Sequence, residues 1–381
     1  MRTPRIGTRL GGAITAAVLA AAFVSDAAGP AAARPASTAT TPNLSVAQMA
    51  GQRIIYSYSG LNPPASLLTL IRHGEAAGVI FFGQNISSKS QISAVVAKLD
   101  QANAASTNPL RSVPLLLMTD QEGGEVRRLP GAPVLSEKQI GQSAHPQDAA
   151  RAAGTGAGKN LASVGMTVNL APVLDVFRKP GDFDDQFGRS YSRNPGVVAT
   201  LGGDFIRRQQ AVGVAATAKH FPGLGAASAS QNTDERAVTL NLKLSTIRNI
   251  DEHPYPEAIS SGVKLVMASW AIYPALDRKF PAGLSSAIIS GELRKRLGFK
   301  GVTITDALEA GALRAFGTTR HRALLAAGAG MDLILCSAQD ATQGEQARIQ
   351  LQNSYNSKVL NQAAFRASVQ RIIALRTSLK K

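Results

Sequence analysis

The sequence predicts an α/β protein with a (β/α)8 barrel, the TIM-type fold in which eight parallel strands alternate with helices. Eight short apolar runs cross the chain, at 54–58, 78–82, 114–119, 166–170, 213–218, 263–268, 301–305 and 331–336. Continuous apolar runs of this length are typical of parallel strands buried on both faces. The segments between them mix polar and apolar residues at a spacing that predicts helices.

Six of these segments are predicted helices, and several begin at Ser or Asp and end at glycine. They lie at 90–104, 148–164, 195–212, 244–261, 285–297 and 320–327. The expected stop glycines are Gly165, Gly213, Gly262, Gly298 and Gly328. A doubly wound open sheet would also alternate strands with helices, but eight strands in roughly 330 residues favour a barrel. The stretch 362–381 is expected to form a closing amphipathic helix with a basic tail.

The start of the chain is predicted to direct export. Three arginines precede an apolar stretch at 10–24, and a run of small residues follows it. This order describes a secretory signal peptide, placed at 1–33, and its core is short for a membrane span. An uncleaved membrane anchor is the alternative. Residues 34–44 are interpreted as a linker, and one barrel domain is expected over 45–381. The expected location is therefore outside the cell or in the cell envelope.

The net charge and the cysteine content indicate which binding partners to expect and what role the single cysteine has. The formal net charge is +16, which favours anionic surroundings. Nucleic acid is not expected, because no nucleic-acid motif is present and aromatic residues make up 5% of the chain. An anionic cell wall fits an exported protein better, although surface solubility explains the charge equally well. Cys336 is the single cysteine and is expected to be a buried small hydrophobe. A monomer is the default expectation.

The first segment whose residues could take part in binding or catalysis follows the third apolar run. It reads Thr-Asp-Gln-Glu-Gly-Gly-Glu-Val-Arg-Arg at 119–128. Asp120 lies at the predicted strand end, and the glycine pair lets the backbone turn so that Arg128 can return to the same cavity. Carboxylate and guanidinium groups suit the directional hydrogen bonds of sugar hydroxyls. The alternative is a structural ion pair at the barrel rim.

Two further segments carry reactive groups at predicted strand ends. Lys219 and His220 follow the fifth run and precede Phe-Pro-Gly. Charged and polar side chains there are costly unless they meet a polar cavity, and both can reach one pocket only if the strand end is irregular. Asp306 ends the seventh run, where a barrel presents catalytic groups. Together with Asp120 it offers two carboxylates on one rim, and a carboxylate nucleophile is a standard solution for glycosyl transfer.

Taken together, these segments resemble glycoside hydrolase family 3, in particular its single-domain β-N-acetylhexosaminidase branch. The resemblance extends from about residue 45 to 381. It includes Asn-Leu-Ala-Pro at 169–172, Gly-Arg-Ser-Tyr-Ser at 188–192 and Tyr-Pro-Ala-Leu-Asp at 273–277. It implies a retaining hydrolase that removes terminal β-linked N-acetylglucosamine from glycans, with peptidoglycan fragments as expected substrates.

The resemblance also implies roles for individual residues. Asp306 matches the nucleophile of the family, and Asp175 is interpreted as structural support for the site. The residues that match those holding the N-acetylglucosamine ring are Asp120, Arg128, Arg189, Lys219 and His220. The family needs no metal and no organic cofactor, and the five histidines of this chain lack the spacing of metal ligands.

Two departures from the family pattern stand out. The loop after Lys219-His220 usually carries Asp-x-His, whose histidine is the general acid/base, but here Asp234 is followed by Glu235 and Arg236. Arg236 cannot exchange a proton near neutral pH, so Asp234, helped by Glu235, is expected to act as the acid. Trp270 stands where related chains often have His. The alternatives are a glycan-binding pseudoenzyme without the loop acid, and a hydrolase of β-glucosides or other β-linked sugars.

Overall fold

The structure, a computed structural model, describes residues 43–105 and 107–379. The expected signal peptide and all but the end of the expected linker lie outside the described residues. Eight parallel strands form one sheet in the order β8-β1-β2-β3-β4-β5-β6-β7, and β7 meets the chain just before β8 through the parallel bridge Ile304–Leu333. The predicted (β/α)8 barrel is confirmed. The strands are β1 (Ile54–Tyr56), β2 (Gly78–Ile80), β3 (Leu116–Thr119), β4 (Val168–Asn169), β5 (Ala215–Phe221), β6 (Leu265–Ala268), β7 (Val302–Thr305) and β8 (Ile334–Leu335).

Helices surround the strands and occupy the connections between them. The α-helices are α1 (Val46–Gly51), α2 (Ala65–Arg72), α3 (Lys89–Asn103), α4 (Glu137–Gly141), α5 (Pro146–Ala162), α6 (Phe183–Gln186), α7 (Pro195–Ala211), α8 (Leu244–Thr246), α9 (Pro254–Ser260), α10 (Thr319–Ala329), α11 (Ala341–Asn356) and α12 (Gln362–Ser378). π-Helical turns span Ile247–Asp251 and Ala287–Arg296, and 3-10 turns span Gly83–Asn85, Ala282–Leu284 and Gly311–Phe316. A small antiparallel hairpin, Gln121–Gly123 with Val126–Arg127, follows β3.

Two sequence expectations about helix ends are corrected. Gly328 does not end a helix: α10 continues to Ala329 and stops at Gly330, whose φ of 105° is left-handed. The other four expected stop glycines do adopt left-handed backbone angles, with φ between 75° and 89°. The predicted helix at 244–261 is interrupted, because Pro254 lacks an N–H and instead opens α9 at its first turn.

Side-chain alternation along the strands divides the core into two layers. Ile55 points into the barrel with Leu116 and Met267, whereas its neighbours Ile54 and Tyr56 pack outward against the helices. The apolar face of α12 joins the inner layer through Ile372, Leu375 and the following Leu379. The buried Arg376 fixes this helix by donating to the carbonyl oxygens of Pro114 at 2.8 Å and Val113 at 3.1 Å. The predicted closing helix therefore covers the amino-terminal end of the barrel.

Cys336 is buried and carries a free thiol, as expected. Within residues 43–105 and 107–379, no helix is both long and apolar enough to cross a membrane.

Candidate active site

A pocket of about 210 Å³ opens at the carboxyl ends of the strands. Its lining contains all seven residues that the sequence analysis selected: Asp120, Arg128, Arg189, Lys219, His220, Asp234 and Asp306. They come from the segments after β3, β4 and β7, from β5 itself and from the loop that follows it. Parallel strands place their carboxyl ends at one rim of a barrel, which explains how positions almost 190 residues apart meet.

Asp306 follows β7 and is half-buried in the pocket. The backbone N–H of Ala307 donates to its Oδ1 at 2.7 Å, and the indole Nε1–H of the buried Trp270 donates to the carbonyl oxygen of Ala307 at 2.8 Å. Burial raises the pKa of Asp306 to about 6, and nearby Asp234 adds to this shift, while His220 and Lys219 oppose it. Asp306 is therefore fixed in orientation and sits near the boundary between its two protonation states at mildly acidic pH.

Lys219 is buried at the end of β5 and is held by two carboxylates. Its Nζ lies 2.7 Å from Asp120 Oδ1 and 2.7 Å from Glu122 Oε1. Burial alone would lower the pKa of Lys219, but the two anions outweigh it and raise the pKa. Burial would likewise raise the pKa of Glu122, yet Arg189 and Lys219 lower it to about 2. Lys219 and Glu122 are thus charged over the working range of an enzyme, and the lysine is oriented toward the pocket.

Arg189 completes this buried network. Its guanidinium donates to both oxygens of Glu122, at 2.9 and 3.0 Å, and to Asp184 Oδ1 at 3.1 Å. Paired N–H groups match a carboxylate in a planar fork, so the arginine has little freedom to rotate. Burial, and then Asp175, raise the pKa of Asp184 to about 7 even though Arg189 opposes the shift. Glu122 is therefore the common anchor of two cations in the pocket, Arg189 and Lys219.

His220 reaches the pocket from the same strand end. The ladder between β5 and β6 shifts register between Ala218 and Phe221, and the Lys219–His220 peptide bond is cis. This irregularity lies just before Pro222. It lets both side chains line the pocket, as expected from the sequence. His220 Nδ1 lies 2.6 Å from Asp175 Oδ2, and burial lowers the pKa of this histidine to about 4. The imidazole is neutral, with Nδ1–H donated to the carboxylate and Nε2 free to accept.

Asp175, Asp184 and His220 place ligand atoms within 4.8 Å of one another, close enough to hold a metal ion. The spacing of histidines in the sequence gave no sign of this group, because the three residues meet only through tertiary structure. In the structure, Asp175 Oδ2 pairs with His220 Nδ1 and Asp184 Oδ1 accepts from Arg189, while the buried Asp184 Oδ2 has no hydrogen-bond partner among the described residues. The positive charges of Arg189 and Lys219 nearby disfavour an additional cation.

Arg128 lines the opposite side of the pocket and is half-buried. Its backbone N–H donates to the carbonyl oxygen of Asp120 at 3.2 Å, which closes the small hairpin and returns the arginine to the cavity as expected. Its buried Nε has no hydrogen-bond partner among the residues that the structure describes. A buried donor of this kind is costly until something accepts its hydrogen bond, so Arg128 is well placed to meet a polar ligand.

Comparison with known proteins identifies this arrangement. The family model described as "Glycosyl hydrolase family 3 N terminal domain" matches residues 44–375. The chain belongs to glycoside hydrolase family 3. It is 45% identical over 336 residues to an "Uncharacterized secreted glycosyl hydrolase" of Arthroderma benhamiae, covering 88% of this chain and 94% of that protein. It is 34% identical to a "Beta-hexosaminidase" of Nitrosomonas eutropha, covering 71% of this chain and 76% of that one.

Solved structures agree with this membership. A family 3 β-N-acetylglucosaminidase from Paenibacillus sp. superimposes with a TM-score of 0.82 at 34% identity, covering 88% of this chain but 62% of the longer one. A β-N-acetylhexosaminidase from Beutenbergia cavernae superimposes with a TM-score of 0.80 at 29% identity, over 88% of this chain and 99% of that one. The resemblance seen in the sequence is therefore confirmed at the level of family and fold.

The family 3 loop that follows β5 brings Asp234 to the pocket. Its position is set by the segment that follows the candidate nucleophile: the N–H of Gly311 donates to the Asp234 carbonyl oxygen at 2.7 Å, and that of Ala312 to Thr233 at 3.0 Å. A Cβ on Gly311 would lie 2.1 Å from the Glu235 carbonyl oxygen, so the approach needs glycine. Asp234 keeps solvent access at the mouth, and its partial burial raises its pKa, with Glu309 adding to the shift and Arg189 opposing it. A carboxyl group of raised pKa can donate a proton.

The two departures from the family pattern have different surroundings. Arg236 is outside the pocket lining, is exposed, and pairs with the equally exposed Glu235 at 3.3 Å. It therefore does not lie against Asp234, and neither it nor Glu235 reaches the reacting groups. Trp270 is buried, and its ring packs against Gly283. Its hydrogen bond to the Ala307 carbonyl oxygen holds the backbone directly after the candidate nucleophile.

Sequence reasoning missed Glu122, the anchor of both cations. A signal was available, because Asp120 and Glu122 are two residues apart and side chains at that spacing share one face of an extended chain. It also missed Phe183 and Asp184, which precede Arg189 in the connection after β4: Phe183 lines the pocket, and Asp184 accepts a hydrogen bond from Arg189. No spacing rule marks these two, because they reach the site through the short helix α6.

Proposed function

We propose that this family 3 protein is a retaining glycoside hydrolase that removes terminal β-linked N-acetylglucosamine from glycans. The observation that carries the proposal is the pairing of Asp306 and Asp234 in one pocket, each with a raised pKa. Retaining glycosidases use two carboxyl groups, one as nucleophile and one as acid and then base. The names of the relatives supply the sugar, since both the Paenibacillus and Beutenbergia proteins are named for N-acetylated amino sugars.

In the first step, a carboxylate oxygen of Asp306 forms a bond to the anomeric carbon as the bond to the leaving oxygen breaks. Asp234 gives its proton to that oxygen, so the leaving group departs as an alcohol. In the second step, water transfers a proton to Asp234 and attacks the anomeric carbon, which releases Asp306 and retains the configuration. The acetamido group of the substrate lies beside Asp306 without attacking.

The remaining pocket residues bind the sugar. Asp120, Arg128 and Arg189 supply charged hydrogen-bonding groups, Lys219 supplies an ammonium between two carboxylates, and His220 supplies a neutral acceptor at Nε2. Each such charge-assisted hydrogen bond contributes about 1.5–3 kcal/mol. The pocket volume of about 210 Å³ is below the ~300–1,000 Å³ of drug-sized sites, which suits a single sugar ring.

The direct test is hydrolysis of p-nitrophenyl N-acetyl-β-glucosaminide compared with the matching glucoside. The N-acetylglucosaminide should be strongly preferred, and Asp306→Ala should remove turnover by several orders of magnitude. Asp148→Ala is the control, because Asp148 is exposed on α5 and far from the pocket. Preference for the glucoside would favour the β-glucosidase alternative. Binding of N-acetylglucosamine with no turnover of either substrate would favour a pseudoenzyme, for which the presence of Arg236 in place of the loop histidine of the family is the supporting observation.

We further propose that the protein is exported and acts in the cell envelope or outside the cell. The basic start and apolar stretch of the sequence support this, as does the word "secreted" in the name of the Arthroderma relative. Peptidoglycan fragments are the proposed natural substrate, with an anionic wall as a binding surface for a chain of net charge +16. Sedimentation with isolated anionic wall material should therefore fall as salt rises, and salt-independent sedimentation would contradict electrostatic binding.

A further inference from the structure

Three large apolar side chains are exposed beside the mouth of the pocket. Val134 is 66% exposed, Leu135 44% and Phe187 40%. We call these three residues the apolar rim. They represent half of the six large hydrophobic side chains that are exposed among the described residues. Apolar groups gathered at a ligand site, unlike those scattered singly, mark a surface that something covers.

Backbone contacts draw the apolar rim together from two connections. The N–H of Lys138 donates to the Gly188 carbonyl oxygen at 3.1 Å, and a Cβ on Gly188 would lie 3.2 Å from Ser136 Cβ. Leu135 directly precedes Ser136, and Phe187 directly precedes Gly188. The connection after β3 therefore runs beside the end of α6, which brings the chain at Leu135 near the chain at Phe187.

The apolar rim continues into the pocket through a ring contact. Phe183 lines the pocket, and its ring meets that of Phe187 edge to face, with centroids 5.7 Å apart. One aromatic ring is thus part of the pocket wall, and the next is exposed outside it. A ligand that fills the pocket and extends from it on this side would pass directly onto Phe187.

The helix α6 also contacts the loop that carries the candidate acid. The N–H of Phe183 donates to the Ala227 carbonyl oxygen at 2.9 Å, and Gln186 Nε2 donates to the Ala229 carbonyl oxygen at 3.1 Å. Both acceptors belong to the loop that carries Asp234. In a retaining glycosidase, the acid faces the leaving oxygen. A leaving group that departs past this loop would lie close to α6 and the apolar rim.

We propose that the apolar rim, centred on Phe187, binds the leaving group of the substrate through the flat face of a sugar ring or an aryl group. The inference rests on the proposed function and extends it, since the pocket itself has room for about one sugar. A pyranose ring presents C–H bonds on its face, and such a face packs on an exposed aromatic ring. The rim would make the protein favour substrates with a ring next to the bond that is cut.

The test compares three N-acetyl-β-glucosaminides that differ only in the leaving group: the β-1,4-linked disaccharide chitobiose, the p-nitrophenyl glycoside and the methyl glycoside. Phe187→Ala should lower kcat/KM for chitobiose and the aryl glycoside about three- to tenfold, the range of an aromatic contact. The methyl glycoside, which has no ring to place on Phe187, should change less than twofold. Inhibition by free N-acetylglucosamine, which fills the pocket alone, should be unchanged.

Two controls separate this result from a general defect. Val359→Ala removes another exposed apolar side chain, 66% exposed, in the turn between α11 and α12, and should affect none of the three substrates. Phe187→Trp keeps a flat ring and should retain the preference for chitobiose. Equal losses on all three substrates, or no loss on chitobiose, would overturn the role of the rim while leaving the proposed function intact.

Two further outcomes would also decide the matter. If Phe187→Ala changes only the sedimentation coefficient and none of the rate constants, the rim is a contact between copies of the chain and the proposal is wrong. If the unaltered protein cleaves none of the three compounds, the proposed function fails and the leaving-group site fails with it.

Discussion

Replacing Glu122 by Gln tests whether one buried carboxylate organises the pocket. Glu122 accepts two hydrogen bonds from Arg189, at 2.9 and 3.0 Å, and lies 2.7 Å from the ammonium of Lys219. Glutamine has almost the same shape but no charge, and its amide nitrogen cannot accept a hydrogen bond. In Glu122→Gln, one neutral oxygen remains to accept hydrogen bonds, and Asp184 and Asp120 become the only carboxylates paired with Arg189 and Lys219, respectively.

Removing one partner of a buried ion pair costs about 3–5 kcal/mol, because a buried charge loses its compensation. An unfolding entropy of about 2.1 cal/mol/K per residue over roughly 340 residues amounts to about 0.7 kcal/mol/K. The melting temperature should therefore fall by roughly 4–7 °C. The inhibition constant for N-acetylglucosamine should rise as well, because both cations lose the group that aims them at the sugar.

Thermal unfolding followed by circular dichroism measures the first effect, and competitive inhibition of the chromogenic substrate measures the second. The matched control is Glu125→Gln in the same hairpin, since Glu125 is exposed and its change should stay within about 0.5 kcal/mol. If Glu122→Gln unfolds at the same temperature as the control and binds the sugar equally well, Glu122 is not the anchor and the reasoning is refuted.

Three other predictions concern the reacting groups. Asp234→Ala should impair natural glycosides far more than activated aryl glycosides, which leave with little protonation; equal losses on both would indicate a positional role for Asp234. Because the pKa of Asp306 is raised to about 6 and the nucleophile must be ionised, kcat/KM should fall about tenfold per pH unit below pH 6, and a flat profile from pH 6 to 4 would contradict this. Trp270→Phe removes the 2.8 Å hydrogen bond to Ala307, worth about 1 kcal/mol, and should lower kcat about fivefold with little change in KM; an unaltered kcat would show that the indole does not position Asp306.

The sequence predicts the barrel well because burial imposes a pattern on each strand. Seven of the eight strands fall within the apolar runs, since strands packed on both faces admit few polar residues, and only β5 continues past its run, to Phe221, where it carries Lys219 and His220. The interruption between α8 and α9 and the end of α10 were less predictable. In the first case, Pro254 lies within a pattern that is helical on both sides of it. In the second, the pattern does not indicate which of Gly328 and Gly330 ends the helix.

The site was predictable where a polar side chain broke an apolar run at a strand end, as Asp120, Lys219 and Asp306 do. The site was not predictable for residues whose role depends on contacts with parts of the chain that are distant in sequence. In the sequence, Glu122 resembles an exposed residue of a glycine-rich turn. In the structure it is buried, because Arg189 from the connection after β4 and Lys219 from β5 both pair with it. Phe187 looks like an ordinary core aromatic, and its partial exposure follows from the way α6 lies against two other loops.

The attachment of Asp234 to the segment after β7 has a consequence for how such a loop can change over time. Two backbone hydrogen bonds, from Gly311 and Ala312, fix the carboxyl-bearing end of the loop, and they use no side chain of the loop. The side chains of residues 228–230 can therefore be replaced while the proton donor stays at the same height above the barrel, since Gln186 also contacts this stretch only through the Ala229 backbone. Selection on substrate choice can act on that stretch independently of selection on the chemistry, so a wide range of loop sequences is compatible with one catalytic geometry.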